Sequence, residues 1–186
     1  MNLPVVSIIT PSFQQAAFLP ECIASVGTQD RSITEHIIVD GGSTDGSVHI
    51  IEQNEKNLKW WCSEKDRGQS HAINKGLEHA SGKVFSWINS DDALLPGALH
   101  IVSEAFAQDP DLLIFEGIRM VRQKDGTGEP LPLDILSQTD ALYHSPKINQ
   151  QSTFYALDKV KEIGGVDEAL KYVMDHELWL QFLFRY

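Results

Sequence analysis

An α/β layered fold built on a mostly parallel sheet is what this sequence predicts, and three observations predict it. Apolar, β-branched runs alternate along the chain with amphipathic helical stretches. The first run is apolar almost throughout, as a strand covered on both faces has to be. Four of the runs break into polar clusters: Thr10-Pro11-Ser12, Asp40-Gly41-Gly42, Ser63-Glu64-Lys65-Asp66-Arg67 and Asn89-Ser90-Asp91-Asp92. Separate segments thus bring polar groups to the carboxyl ends of the strands, where sheets of this kind hold ligands.

Residues 5–10 form the first strand, ending at Pro11-Ser12-Phe13. A helix follows over about 19–26, with Pro20 in its first turn and Leu19, Cys22, Ile23 and Val26 on one stripe. The second strand, 36–40, breaks into Gly41-Gly42-Ser43-Thr44-Asp45-Gly46 before a helix carrying Val48, Ile50 and Ile51. A third strand at 58–62 leads through a polar loop to a helix near 70–79, closed by Ala80-Ser81-Gly82. The fourth strand starts at Val84. After it come a helix of roughly 97–106, a strand at 112–115 and an antiparallel partner for that strand around 118–121.

Residues 123–147 contain Gly126, Gly128, Pro130, Pro132 and Pro146 with little periodicity, and read as an irregular excursion over the site. Regular structure returns as a strand at 151–155 and a helix of about 158–163 stopped by Gly164-Gly165. A last helix starts near Asp175 and carries Leu178, Trp179, Phe182 and Leu183 on an apolar face that calls for a further segment or a membrane surface to pack on. Residues 1–186 are expected to form one domain, either whole or cut short at its C-terminal end.

A formal net charge of −11 argues against nucleic acid as the main partner, because phosphate-backbone binding needs a basic face. An anionic ligand would need a local remedy, such as a metal or helix N-termini. No window approaches the roughly 18 apolar residues of a membrane span, and Met1-Asn2-Leu3-Pro4 lacks the basic start of a signal peptide. Cys22 and Cys62 make neither a disulfide framework nor a metal spacing, so two free thiols in a reducing compartment are expected.

The run Val84-Phe85-Ser86-Trp87-Ile88 delivers Asn89-Ser90-Asp91-Asp92 to the mouth of the sheet. Two adjacent aspartates repel each other unless a cation or a donor cluster neutralises them, and oxygen-only ligation suits Mg²⁺ or Mn²⁺ rather than zinc. The same residues also read as the N-cap of the helix that begins near Pro96.

Five blocks, in order and spacing, resemble the family 2 glycosyltransferases: residues 7–13; Asp40 to Gly46; Ser63 to Gln69 with 72–76; Asn89-Ser90-Asp91-Asp92; and 164–168 followed by Asp175-His176-Glu177-Leu178-Trp179-Leu180. The resemblance implies the GT-A fold, a three-layer α/β/α sandwich with a mostly parallel mixed sheet of the nucleotide-diphospho-sugar transferase type. It implies inverting, Mn²⁺- or Mg²⁺-dependent transfer from a UDP-, GDP- or dTDP-linked sugar to a saccharide or lipid-linked saccharide, in surface polysaccharide or glycolipid synthesis. The setting implied is cytoplasmic, with possible peripheral contact at the inner face of the membrane.

By the same resemblance Asp91 stands at the last carboxylate of an Asp-X-Asp motif and holds the metal, with Asp92 as helper, while Asn89 replaces the first aspartate and can still bond ribose hydroxyls. Thr10, Pro11, Ser12 and Phe13 line a base pocket. Asp40 accepts from base or ribose, Gly41 and Gly42 let the backbone approach, Asp66 and Arg67 meet diphosphate and sugar, and Ser90 lies beside them. Asp175 matches the base that takes the acceptor's proton, with Glu177 as fallback. Each has a plain structural alternative: an Asx-type turn for Asp40, a surface pair for Asp66 and Arg67, core for Phe13, an N-cap for Asp175. His71 stands where the family often has an acid, and either alters sugar or acceptor preference or caps its helix. Two rivals remain open: a nucleotidyltransferase, disfavoured by the lack of a Gly-rich basic loop after the first strand, and a non-catalytic or truncated nucleotide-sugar-binding module.

Overall fold

The structure is a computed structural model that describes residues 3–123, 125, 127–131 and 148–186. In chain order the elements are Val6–Ser12 (β1), Leu19–Gly27 (α1), Thr34–Asp40 (β2), Ser47–Asn54 (α2), Trp60–Ser63 (β3), Gln69–His79 (α3) and Val84–Trp87 (β4). There follow Ala98–Gln108 (α4), Ile114–Glu116 (β5), Arg119–Arg122 (β6), Gly128–Leu131 (β7), Thr153–Ala156 (β8), Leu157–Ile163 (α5) and Met174–Arg185 (α6).

Six strands make one sheet in the order β3-β2-β1-β4-β8-β5. The four strands from β3 to β4 are parallel, and β8 runs against both its neighbours, so the sheet is mixed. Strand alternation sorts the side chains between two cores. Ile9, Ile37, Val39 and Phe85 point to the face covered by Ile73 and Leu77 of α3, Val160 of α5 and Leu178 and Phe182 of α6. Ile8, Ile38 and Val84 point to the face covered by α1, α2 and α4 through Val26, Ile51 and Leu99. This is the three-layer α/β/α arrangement, and each fully buried aliphatic side chain contributes about 1.5–3 kcal/mol of transfer free energy.

The sheet corrects one expected pairing. β5 pairs with β8, not with residues 118–121; those instead form β6, which pairs with β7 in a separate two-stranded sheet. The reason is burial: every residue of β8 is buried, as a strand inside a covered sheet requires, whereas β6 is largely exposed and carries Arg119 and Arg122. The irregular excursion expected over 123–147 therefore contains a strand, and 132–147 lie outside the described residues.

Two capping alternatives are also resolved. α4 starts at Ala98 with Gly97 as its N-cap at φ 76°, so neither Asp91 nor Asp92 caps a helix; Asp92 N–H closes a turn on Asn89 C=O at 3.0 Å. Asp175 lies inside the first turn of α6, whose N-cap is Val173. The apolar face of α6 finds its partner within the chain, because Leu178 and Phe182 bury against the sheet, while Phe184 and Tyr186 stay exposed. Trp60 stacks on His79 with ring centroids 3.6 Å apart, and Trp61 packs beside Ile38.

A histidine stands buried in the sheet. His36 shares a 2.9 Å hydrogen bond with the Thr10 hydroxyl, and burial pushes its pKa down from 6.5 to about 3. The folded chain keeps it neutral while the unfolded chain protonates it below about 6.5, so its stabilisation is complete above that pH and is lost as pH falls towards 3. We expect stability to drop by up to about 1.4 kcal/mol per pH unit below 6.5, a slope that His36→Gln removes. Urea midpoints between pH 7.5 and 5.0 measure it; a flat wild-type profile there would contradict the burial argument.

Candidate active site

Residues at and after the carboxyl ends of β1, β3 and β4, with the N-terminus of α3, line a cleft of about 370 Å³. Its walls are Pro11, Ser12, Phe13 and Gln15 after β1, Asp66, Gly68, Gln69 and Ala72 at the start of α3, and Asn89, Ser90 and Asp91 after β4. Seven of the residues singled out from the sequence meet here: Pro11, Ser12, Phe13, Asp66, Asn89, Ser90 and Asp91. Phe13 is 59% exposed, which removes the core alternative for it. Ser12 is buried, and its hydroxyl has no hydrogen-bond partner among the described residues. A ligand in the cleft is the natural partner for such a group.

The cleft's loops are held by side chains. Asp40 is completely buried; one carboxylate oxygen accepts from Gly42 N–H (3.0 Å), Ser43 N–H (2.8 Å) and Ser63 Oγ (2.7 Å), and the other from Ser43 Oγ (2.6 Å). Both oxygens are engaged, so Asp40 braces the turn in the way the Asx-type alternative describes. That turn in turn holds the loop after β1: Ser43 Oγ accepts from Gln14 N–H at 2.8 Å, and Asp45 Oδ2 accepts from Ala16 N–H at 2.8 Å. The bond from Ala16, reinforced by the Ser47 hydroxyl, holds the Asp45 carboxyl below its ordinary range. Gly41 lies one layer behind the wall, where a Cβ would come within 2.9 Å of Asp66 Oδ2 and 3.2 Å of the Phe13 ring. A larger residue there would push the Asp66 carboxylate and the Phe13 ring outward.

Besides Asp40 and Gly41, four further expected residues lie outside the lining. Thr10 is buried beneath the cleft, one pleat before Ser12 on the same sheet face, where its hydroxyl meets His36 and the Cys22 thiol of α1. Arg67 points across to Glu168, at 2.5 Å through Nη2. Asp92 is half-buried behind Asp91; burial and then the Asp91 charge raise its carboxyl above the usual range, while hydrogen bonds with Asn89 and Gln151 and the Arg119 charge act the other way. Asp175 is half-buried in the first turn of α6, outside the cleft's lining. The loop before it is tied to α3 by paired 2.8 Å bonds between Asn74 and the Val166 backbone, by Ser70 Oγ to Leu170 C=O at 3.3 Å, and by the Arg67–Glu168 pair. This brings α6 to the flank of the helix whose N-terminus opens on the cleft. His71 accepts a long hydrogen bond from Arg67 N–H at 3.4 Å.

Sequence reasoning passed over Gln15 and gave no site role to Gly68, Gln69 and Ala72, which lie in the third family-like block. The signal was present: a helix N-terminus after a parallel strand opens on this rim. Gln69 donates to the Asn89 side-chain oxygen at 2.6 Å, linking two walls.

The charge balance of the cleft is its main chemical feature. Its lining carries Asp66 and Asp91 and, among the described residues, no lysine, arginine or histidine. No group of three or more His, Cys, Asp or Glu among the described residues could hold a metal by itself. A pair of adjacent carboxylates, Asp91 and Asp92, is a poor zinc site. It does suit Mg²⁺ or Mn²⁺, which keep waters and take further oxygens from a phosphate. The donor chemistry therefore fits such an ion.

A family model described as "Glycosyl transferase family 2" matches residues 7–161. An uncharacterized glycosyltransferase of Mycobacterium tuberculosis is 31% identical over 184 residues, covering 97% of this chain and 69% of that protein. Among solved structures, Staphylococcus aureus TarS 1-349 in complex with UDP aligns with a TM-score of 0.71 at 19% identity, over 94% of this chain and 53% of that one. The mannosyltransferase PcManGT from Pyrobaculum calidifontis, in complex with GDP-Man and Mn²⁺, aligns with a TM-score of 0.68 at 18% identity, over 95% and 52%. At those identities the likeness is one of fold, the GT-A fold. The chain spans 59% and 69% of the length of two curated relatives it matches.

Proposed function

Because the chain belongs to glycosyl transferase family 2, we propose that it moves a sugar from a nucleoside diphosphate sugar to an acceptor hydroxyl with inversion, using Mn²⁺ or Mg²⁺. The observation that carries this reading is the cleft that has two aspartates and no cationic side chain among its described lining. A diphosphate cannot approach that wall without a counter-charge. Asp91, with Asp92 beside it as helper, is the residue that would hold the ion. When bound, it supplies positive charge against the oxygens of the departing diphosphate.

The chain's own groups do the rest. Phe13 presents an exposed ring to the base, and the unpartnered Ser12 hydroxyl bonds base or ribose. The Asn89 amide, held by Gln69, addresses ribose hydroxyls. Asp66 contacts the sugar side of the donor, and the N-terminus of α3 lends a partial positive charge. Asp40 and Gly41 act from behind the wall, by shaping the turn that lets Phe13 and Asp66 close together. Arg67, paired with Glu168, holds the loop that delivers α6. Asp175 takes the proton of the attacking hydroxyl. The acceptor is a saccharide or a lipid-linked saccharide, and the reaction belongs in the cytoplasm, with peripheral contact at the inner membrane face when the acceptor is lipid-borne. Among the described residues no helix is long and apolar enough to cross a membrane.

Thermal unfolding against UDP-, GDP- and dTDP-linked sugars, each with and without Mn²⁺, tests the reading. A ligand at a hundred times its Kd adds about 2.7 kcal/mol to the folded state, and its identity names the donor. We expect one nucleotide class to raise the melting temperature only with Mn²⁺. No shift with any donor would reject donor binding and favour a non-catalytic or truncated module.

A further inference from the structure

Tyr155 on β8 is 1% exposed, and its ring is enclosed by aromatic neighbours. It lies 6.4 Å from Trp87 at an interplanar angle of 7°, and 5.2 Å from Phe182 of α6. Its hydroxyl has no hydrogen-bond partner among the described residues. Burying an unpaired hydroxyl is unfavourable, and a phenylalanine would fill the same space without that cost. The position of α6 relates the ring to Asp175. Asp175 precedes Phe182 by seven residues, two helical turns, so both project from one face, and helical side chains lean towards the N-terminus. A ring that touches Phe182 therefore lies along the face that carries Asp175. Burial first, then the charges of Asp175 and of Glu116 on β5, push the phenol above its ordinary range. His176 and Glu177 are the other titratable groups on that turn.

We propose that Tyr155 is a positioning residue, whose buried hydroxyl donates to the Asp175 carboxylate in the reacting complex and aims it at the acceptor. This rests on the reading of Asp175 as the base. Trp87, stacked on Tyr155, and Phe182, tilted against it, set the hydroxyl's place in the buried core, so the carboxylate is oriented from the sheet rather than by a surface group.

Tyr155→Phe keeps the ring and removes only the hydroxyl. Turnover is followed as nucleoside diphosphate released from UDP-N-acetylglucosamine and from GDP-mannose with Mn²⁺, alongside the melting temperature. We expect kcat to fall about tenfold or more, with donor KM unchanged and the melting temperature equal or higher. In an Asp175→Asn background the same change should cost nothing further, because both act on one step. A merely structural hydroxyl would leave kcat alone, and wild-type kcat in Tyr155→Phe overturns the inference. Wild-type turnover in Asp175→Asn overturns the base reading instead; loss there with full activity in Tyr155→Phe overturns the inference alone. No turnover by the wild type on these two donors or on a dTDP-linked sugar overturns both.

Discussion

Asp91→Ala is expected to abolish the Mn²⁺-dependent part of donor binding and to lower turnover on the order of 10²–10³-fold. Asp91 is exposed in the cleft wall, so its removal should change stability by less than about 0.5 kcal/mol. The functional loss is large because the cleft has no cationic side chain among its described lining to stand in for the ion. Asp92 is no equivalent substitute, being half-buried, outside the cleft's lining and shared with Asn89, Gln151 and Arg119. The comparison is the melting-temperature shift with donor, with and without Mn²⁺, in wild type and variant. An unchanged metal-dependent shift would remove Asp91 from the metal site.

Asp175→Asn should leave that donor shift intact while turnover falls by about 10²–10⁴-fold, the range for loss of a general base. The substitution keeps size and polarity, so the first turn of α6 keeps its packing through Met174 and Leu178. Steady-state kinetics with a fixed donor separate the two outcomes: a fall in kcat alone identifies a group used only in the transition state. Glu177 is the fallback. Its Oε1 already accepts from Gln181 at 2.5 Å, and its Oε2 is buried without a partner among the described residues, so it is turned along the helix. Full turnover in Asp175→Asn together with loss in Glu177→Gln would move the assignment to Glu177.

Much of the cleft was legible because a strand end and a polar cluster coincide in the chain. Asn89-Ser90-Asp91 and Pro11-Ser12-Phe13 could be placed on one rim from alternation alone. Residue roles within a cluster were less legible. Thr10 and Ser12 are two residues apart on one strand, yet one is spent on His36 and the other faces the cleft. Asp40 and Asp66 look alike as loop carboxylates; four donors occupy the first, while the second lines the wall. Arg67 was expected at the diphosphate, and its partner proved to be Glu168, a hundred and one residues away.

The sequence by itself determined the order of strands and helices, the parallel core and the rim on which the site lies. These follow from local periodicity and from glycine and proline at the breaks, signals that a few neighbouring residues carry. Only the tertiary structure decided which strand neighbours β5, which aspartates are spent on turns and which face the cleft, and that α6 closes on this chain's own sheet. Those outcomes depend on hydrogen-bond donors and apolar surfaces supplied by segments distant in sequence, and the final allocation of each buried polar group is settled when those segments pack.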